Sequence, residues 1–501
     1  MTRGVIATPH TAATDAGVQV LRDGGNAIDA AVAADAMLCV VYPHMTSLGG
    51  DLFALVWPPG GDRPVGLAGA GRSGSLASIE ELAARGLAEM PEHGVLPVTV
   101  PGTVEAWGRL VERFGTLGLE PLMAAAAAAA RDGFIVTPGL AGFLVRESEW
   151  LHREEQARLL LPPLKEGMAL RNPELAAVLD DIGRNGFNGF YRGDVGHAIS
   201  DAVERRGGLL TAEDLAGHRS TWVEPVVIDY RGTTIYELPP PTQGLVAAAM
   251  LERFELVEPD ALRPGLAFAR ELLRVRDEVY PLRDRLISDP DFVKVPWAPF
   301  LDTAPAAWPP GLAPPIPDGD TVYLCAADEH GNVVSLIQSV AGSFGSGVIP
   351  EGTGVLLHNR GKYFSLDPRH VNRLEPRKRT MHTLIPAMAG RDGHCWAAFG
   401  SMGADGQPQI QAQLAINLVD AGLDPDEAVT RPRLRVPPGG GGLWVEADYP
   451  EAAEILRSEL AGRPLPPRDW HLGHAAALIV DGPRAWRAGS DPRADGSVGR
   501  A

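Results

Sequence analysis

Apolar residues recur at helical spacing through residues 11–22, "TAATDAGVQVLR", and the pattern stops at Gly24 and Gly25, which predicts a helix closed by a glycine C-cap. A more apolar segment from Ala27 to about Val41 predicts a second helix. "PHMTSLGGDLFALVW" then reads as a glycine-punctuated turn entering a strand, and "PVGLAGAGRSG" as a second strand ending near Arg72. Helices feeding a hairpin imply helices layered on a sheet. From about 80 to 290 the pattern is mostly helical, with cap-like starts such as "TAEDL" at Thr211 and one extended interruption, "WVEPVVIDYRGTTIYELPPP". Residues 290–320 hold nine prolines without periodicity and predict an exposed linker. Strand patterns dominate beyond it: "TVYLCAAD", "VVSLIQSV", "GVLLHN", "HTLIPAMAG" and "CWAAFGSMG". The first two are joined at "DEHGN", where Gly331 and Asn332 mark the bend of a hairpin that begins at Thr321. A helix, "QPQIQAQLAINLVDAGLDP", and a last strand, "AAALIVDG", complete the chain.

Composition narrows the function. The chain has 501 residues, 45% of them hydrophobic, enough for a large core, and a net charge of −18 with no basic run. That balance argues against nucleic acid or an anionic membrane as partner. Cys39, Cys325 and Cys395 are odd in number and lack metal-ligand spacing, as expected of free thiols in a reducing compartment. The opening "MTRGVIATPHTAATDAG" lacks the apolar core of a signal peptide, so a cytoplasmic location is expected. The alanine run Ala124–Ala130 is far shorter than the roughly 20 apolar residues a bilayer span needs. No G-x-S-x-G or H-E-x-x-H motif is present, and nothing calls for a metal or cofactor. "GGGG" at 439–442 lacks the strand-to-helix setting of a phosphate loop.

Several motifs, in order along nearly the whole chain, carry a family likeness: "GVIATPH", "AGVQVLRDGGNAIDAAVAADAMLCVVYPHMTSLGGDLF", "GDTVYLCAADEHGNVVSLIQS", "FGSGV", "GTGVLL", "FGSMGADGQPQ" and "DPRADG". Together they resemble the γ-glutamyltransferase family of N-terminal-nucleophile hydrolases. The resemblance implies an α+β fold, a four-layer αββα sandwich of two antiparallel sheets flanked by helices. It also implies a precursor that cuts itself before a threonine, here between Asp320 and Thr321. Residues 1–320 and 321–501 would then be two fragments of one intertwined domain, a heterodimer made from a single chain. Thr321 would be the nucleophile, with Ser339 orienting its hydroxyl and the amides of Gly403 and Ala404 holding the oxyanion. An N-terminal threonine suits this chemistry, because its α-amine, with a pKa near ~7.7–8.0, supplies the base that a weakly nucleophilic hydroxyl needs. The same likeness puts the arginine that binds a substrate carboxylate at Arg72.

The departures from the family pattern bear on the substrate. Ala341, Arg360 and Tyr363 stand where γ-glutamyl enzymes carry an asparagine, a glutamine and an aspartate, and His382 and Thr383 replace a pair of serines. Two arginines without the acid that would meet an α-ammonium suit a small amide whose acyl part is anionic. "GDTVYLC", "NRGKYFSLDP" and "HTLIP" look like the cytoplasmic γ-glutamyltransferase-like subgroup, which includes oxamate amidohydrolase and lies near glutaryl-cephalosporin acylases. Two alternatives stay open: a C–C bond hydrolase on the same scaffold, and an uncut, non-enzymatic relative. Taken alone, a threonine at a strand start is simply a β-branched strand residue, and exposed arginines are ordinarily ion-paired.

Overall fold

Strands buried on both faces read as unbroken apolar runs, and such strands occupy the middle of this molecule. The structure, a computed structural model, describes residues 3–302 and 320–501. Its two large sheets are built from β1 (Gly4–Thr8), β2 (Asp51–Trp57), β3 (Val65–Gly69), β4 (Thr221–Val223), β5 (Val226–Tyr230), β6 (Thr233–Glu237), β7 (Asp320–Asp328), β8 (Val333–Ala341), β9 (Ala387–Arg391), β10 (His394–Ser401), β11 (Ala475–Gly482), β12 (Ala485–Ser490) and β13 (Ser497–Arg500). The first sheet has the order β13-β1-β7-β8-β2-β3-β4 and the second β12-β11-β10-β9-β6-β5. Every pairing within them is antiparallel.

The period-2 alternation of side chains sorts the strands onto two cores. Val322, Leu324 and Ala326 of β7, with Leu52, Ala54 and Val56 of β2, pack beneath α1 (Thr11–Arg22), α2 (Ala27–Val41), α3 (Leu119–Asp132) and α4 (Pro173–Asn185). Tyr323, Cys325 and Ala327, with Phe53, Leu55 and Trp57, face the second sheet across a shared core that also takes in Met388, Ala398 and Leu478. The outer face of the second sheet is covered by α5 (Gly244–Glu255), α6 (Leu266–Leu286) and α7 (Gln407–Val419). Helix, sheet, sheet and helix thus form four layers. α2 is buried at every residue, as its uniformly apolar sequence requires.

Most of the expected elements are present, and the exceptions have local causes. "GVLLHN" is not a strand. Leu357, His358 and Asn359 donate their amides to Val348, Gly49 and Val340 in turn, three partners that belong to no common ladder. In "HTLIPAMAG" the strand starts only at Ala387, because Pro386 has no N–H for the ladder. "PVGLAGAGRSG" leaves the sheet at Gly69, and the Gly71 amide turns to the Asp51 carboxylate, 3.1 Å away. The extended interruption in the helical middle resolves into β4, β5 and β6. Residues 303–319, most of the proline-rich tract, lie outside the described residues.

Candidate active site

The β7–β8 hairpin is locked at its turn by one carboxylate. Asp328 accepts from the His330 and Asn332 amides, from Asn332 Nδ2 and, at 2.8 Å, from the Ala27 amide at the start of α2. From that turn the ladder runs regularly to Val322 and Gln338, then skips, so that the next partners are Asp320 and Ala341. Ser339 and Val340 together therefore oppose Thr321, a β-bulge that re-aims side chains at the head of the strand. Just beyond it Ala341 holds φ at 78°, a left-handed conformation that L residues rarely adopt.

Strand alternation fixes where this end of the sheet points. Thr321 shares a face with Tyr323, and Ser339, reached from Ile337, and Asp51, two before Phe53, share the corresponding faces of β8 and β2. Ser339 and Asp51 are direct cross-strand partners. Threonine, serine and aspartate thus form a polar row facing the second sheet, with Thr321 1% exposed and Ser339 and Asp51 fully buried. Opposite the row, β10 presents Gly400, where an added Cβ would lie 2.5 Å from the Tyr323 ring. The aromatic ring fits only against a glycine, and Gly403 and Ala404 follow immediately after β10 at the same end of the sandwich.

The turn at Gly403–Ala404 is held from behind. Gly403, with φ of 134°, accepts through its carbonyl from Gly406 N at 2.7 Å and Arg435 Nη1 at 2.9 Å. Gln243 Nε2 donates to the Ala404 carbonyl at 2.8 Å, and Tyr280 Oη donates to the Asp405 carbonyl at 2.7 Å. Arg283 Nη1 meets Asp405 Oδ1 at 2.5 Å. Because a peptide unit is planar and trans, fixing the Gly403 carbonyl also fixes the opposite direction of the Ala404 N–H. Such anchored amides can stabilise an oxyanion.

A buried charge cluster lies behind the row. Asp51 Oδ2 has His358 Nδ1 at 3.1 Å, Arg360 Nε at 3.7 Å and His382 Nε2 at 3.8 Å. Burial alone would raise the Asp51 carboxyl, but His358, with His382 and Arg360, outweighs it and holds the group at about 2. Burial lowers Arg360 from the usual guanidinium range, against the pull of Tyr363 and Asp51, and together with Arg360 it keeps His382 well below the normal imidazole value, hence neutral. Arg360 Nη1 donates to Thr383 Oγ1 at 3.3 Å, and its guanidinium carbon lies 5.2 Å from the Tyr363 ring centre. Arg360 Nη2, both ring nitrogens of His382 and Tyr363 Oη are buried without a hydrogen-bond partner among the described residues. The Asn359 amide donates to the carbonyl of Val340 in the bulge, which seats this cluster beside the Thr321 strand.

Arg360, Tyr363, His382 and Thr383 are therefore brought together. Arg72 lines a cavity of about 580 Å³ together with Asp291, Arg377 and Arg379. Its guanidinium donates to Asp289 at 3.0 Å and to the Arg377 carbonyl at 2.8 Å and is also paired with Asp291. Asp51, His358 and Gln243 were not singled out in the sequence. A lone acid heading an otherwise apolar strand, "DLFALVW", was the available signal for Asp51; His358 and Gln243 had none.

Two antiparallel sheets face to face between helix layers, with an active-site candidate at the head of an inner strand, define the N-terminal-nucleophile hydrolase fold. Cephalosporin acylase from Bacillus halodurans has this architecture at a TM-score of 0.91 and 33% identity, with 99% of this chain and 96% of that one covered. The profile of the family described as gamma-glutamyltranspeptidase matches residues 13–501, and the chain belongs to that family of self-processing enzymes. Among its relatives, a glutathione hydrolase-like YwrD proenzyme of Bacillus subtilis is 34% identical over 99% of this chain and 98% of its own length. The oxamate amidohydrolase proenzyme of Klebsiella pneumoniae is likewise 34% identical, over 99% and 98%. Among the described residues no helix is long and apolar enough to cross a membrane.

Proposed function

We propose that this chain is a self-processing threonine amidohydrolase that releases a short, carboxylate-bearing acyl group from a small amide. The observation that carries the substrate class is the set of buried, unpartnered donors beside the Thr321 strand: Arg360 Nη2, the His382 ring and Tyr363 Oη. Burying such groups without acceptors is unfavourable by about 1–3 kcal/mol each, so the cluster favours a ligand that brings acceptor oxygens. A planar guanidinium is the natural partner of a carboxylate. Neutral His382 carries no charge to meet an α-ammonium, and the Asp51 carboxylate already faces His358 and Arg360, which favours oxamate-like or glutaryl-like acyl groups over γ-glutamyl. Arg72, its donors engaged by two aspartates, is assigned to the outer wall.

In the proposed reaction, Thr321 Oγ1 first attacks the Asp320 carbonyl, and the peptide C–N bond gives way to an ester that water hydrolyses. The new α-amine of Thr321 then takes the proton from its own hydroxyl as Oγ1 attacks the substrate amide. Ser339 orients that hydroxyl, and the Gly403 and Ala404 amides receive the oxyanion. The proton passes to the departing amine, and water releases the acyl group as its acid. Intact mass and N-terminal sequencing of the wild type beside Thr321→Ala test the first step. Fragments 1–320 and 321–501 are expected in the wild type alone; one uncut chain in both after prolonged incubation refutes it. Turnover of oxamate, glutaryl anilide and γ-glutamyl anilide by the cut enzyme tests the second, and a preference for the γ-glutamyl compound overturns the acyl assignment.

A further inference from the structure

Gln243 lies in neither sheet, yet its side-chain amide joins the two halves of the site. Nε2 donates to the Ala404 carbonyl at 2.8 Å and to the Thr383 carbonyl at 3.1 Å. Its backbone amide donates to the His382 carbonyl at 2.9 Å, while the His382 amide returns a bond to Pro241. Oε1 faces Arg283 Nη1 at 3.4 Å, the same nitrogen that holds Asp405 in the turn. The residue is fully buried at the head of α5, whose apolar body is set in the second core.

We infer that Gln243 is a positioning residue that fixes the distance between the oxyanion turn at Gly403–Ala404 and the acyl-binding segment at His382–Thr383. One primary amide spends both of its N–H groups on carbonyls from these two segments, so neither can shift without breaking a buried hydrogen bond. A substrate held by its acyl end on one segment and by its carbonyl oxygen on the other is thereby held at a set span, the condition under which small displacements lower rates strongly. The inference rests on the roles given above to the turn and the pocket.

The test uses Gln243→Met, which keeps the length of the side chain, and Gln243→Glu, which keeps its shape and gives Arg283 a charged partner; a methionine or a carboxylate offers neither donor. On whichever of the three amides the wild type cleaves fastest, kcat is expected to fall about 10- to 100-fold in both variants with KM within about threefold, because alignment at the reacting carbonyl is what is lost. Unchanged kcat in a folded variant overturns the inference. So does a parallel change in kcat and KM accompanied by a lower melting temperature, which marks Gln243 as a packing residue. A wild type inactive on all three amides overturns the functional reading itself and the inference with it, whereas an active wild type with an unaffected variant removes the inference alone.

Discussion

Asp35, in the middle of α2, the helix packed beneath the strand that carries Thr321, is a carboxyl with no ionic partner among the described residues. Trp107 Nε1 donates to its Oδ2 at 2.8 Å, while Oδ1 has no partner among the described residues. Burial pushes the group up from 3.8 to about 7, against the pull of the Trp107 hydrogen bond. The sign of the linkage follows directly. Below pH ~4 both folded and unfolded chains hold the proton. Between pH ~4 and ~7 only the folded chain does, so stability falls by about 1.4 kcal/mol per pH unit, reaching a total of about 4 kcal/mol above pH ~7. Asp35→Asn keeps an acceptor for Trp107 and has no proton to lose. Whatever offset the extra N–H introduces does not depend on pH, so the stability of the variant relative to wild type should rise by about 2.5 kcal/mol between pH ~5 and ~8. For 501 residues unfolding together, at roughly 2.1 cal/mol/K per residue, that is a relative gain of about 2–3 °C in melting temperature. Calorimetric scans of both proteins across that pH range provide the measurement. A difference that stays flat with pH refutes the reasoning, because it means Asp35 is ionised inside the fold and burial is not the dominant influence on it.

Two further substitutions probe the site. Asp51→Asn leaves Arg360 buried without its counter-charge and should lower stability by about 3–5 kcal/mol in urea unfolding. Since Asp51 is held at about 2, its own ionisation is complete above pH ~4, so the deficit should already be present at pH ~5; a variant as stable as the wild type at that pH contradicts the assignment. Gly400→Ala sets a methyl against the Tyr323 ring and should cost about 1–3 kcal/mol while slowing self-cleavage at Thr321, two residues away; a wild-type melting temperature and cleavage rate would show that the sheets do not meet there.

What could be read from the chain follows the range of the interactions involved. The hairpin around Gly331 and Asn332, the helix Ala27–Val41 and the layering of helices on sheets were legible because turn chemistry and periodicity are local. Thr321 gained its meaning only from motifs; as a lone residue it is one more β-branched strand former. The environment of the arginines was not legible. Arg360 reads as a free cation until Asp51, more than three hundred positions earlier, arrives beside it through the pairing of β2 with β8, and Arg72 meets Asp289 and Asp291 from the end of a distant helix. Gln243 was invisible for the same reason. Both carbonyl partners of its side chain lie at least 140 residues away, and a glutamine between prolines and an apolar helix carries no pattern of its own.

The strand order has a consequence for a chain cut before Thr321. In the first sheet, β1 from the leading fragment would sit between β13 and β7 of the trailing one, and β8 would border β2, giving three seams at which backbone from one piece is hydrogen-bonded to backbone from the other. The second sheet adds a fourth where β9 meets β6. Neither piece can leave without tearing both sheets, so the nicked protein should withstand dilution as one molecule, and separating its halves should coincide with losing the fold.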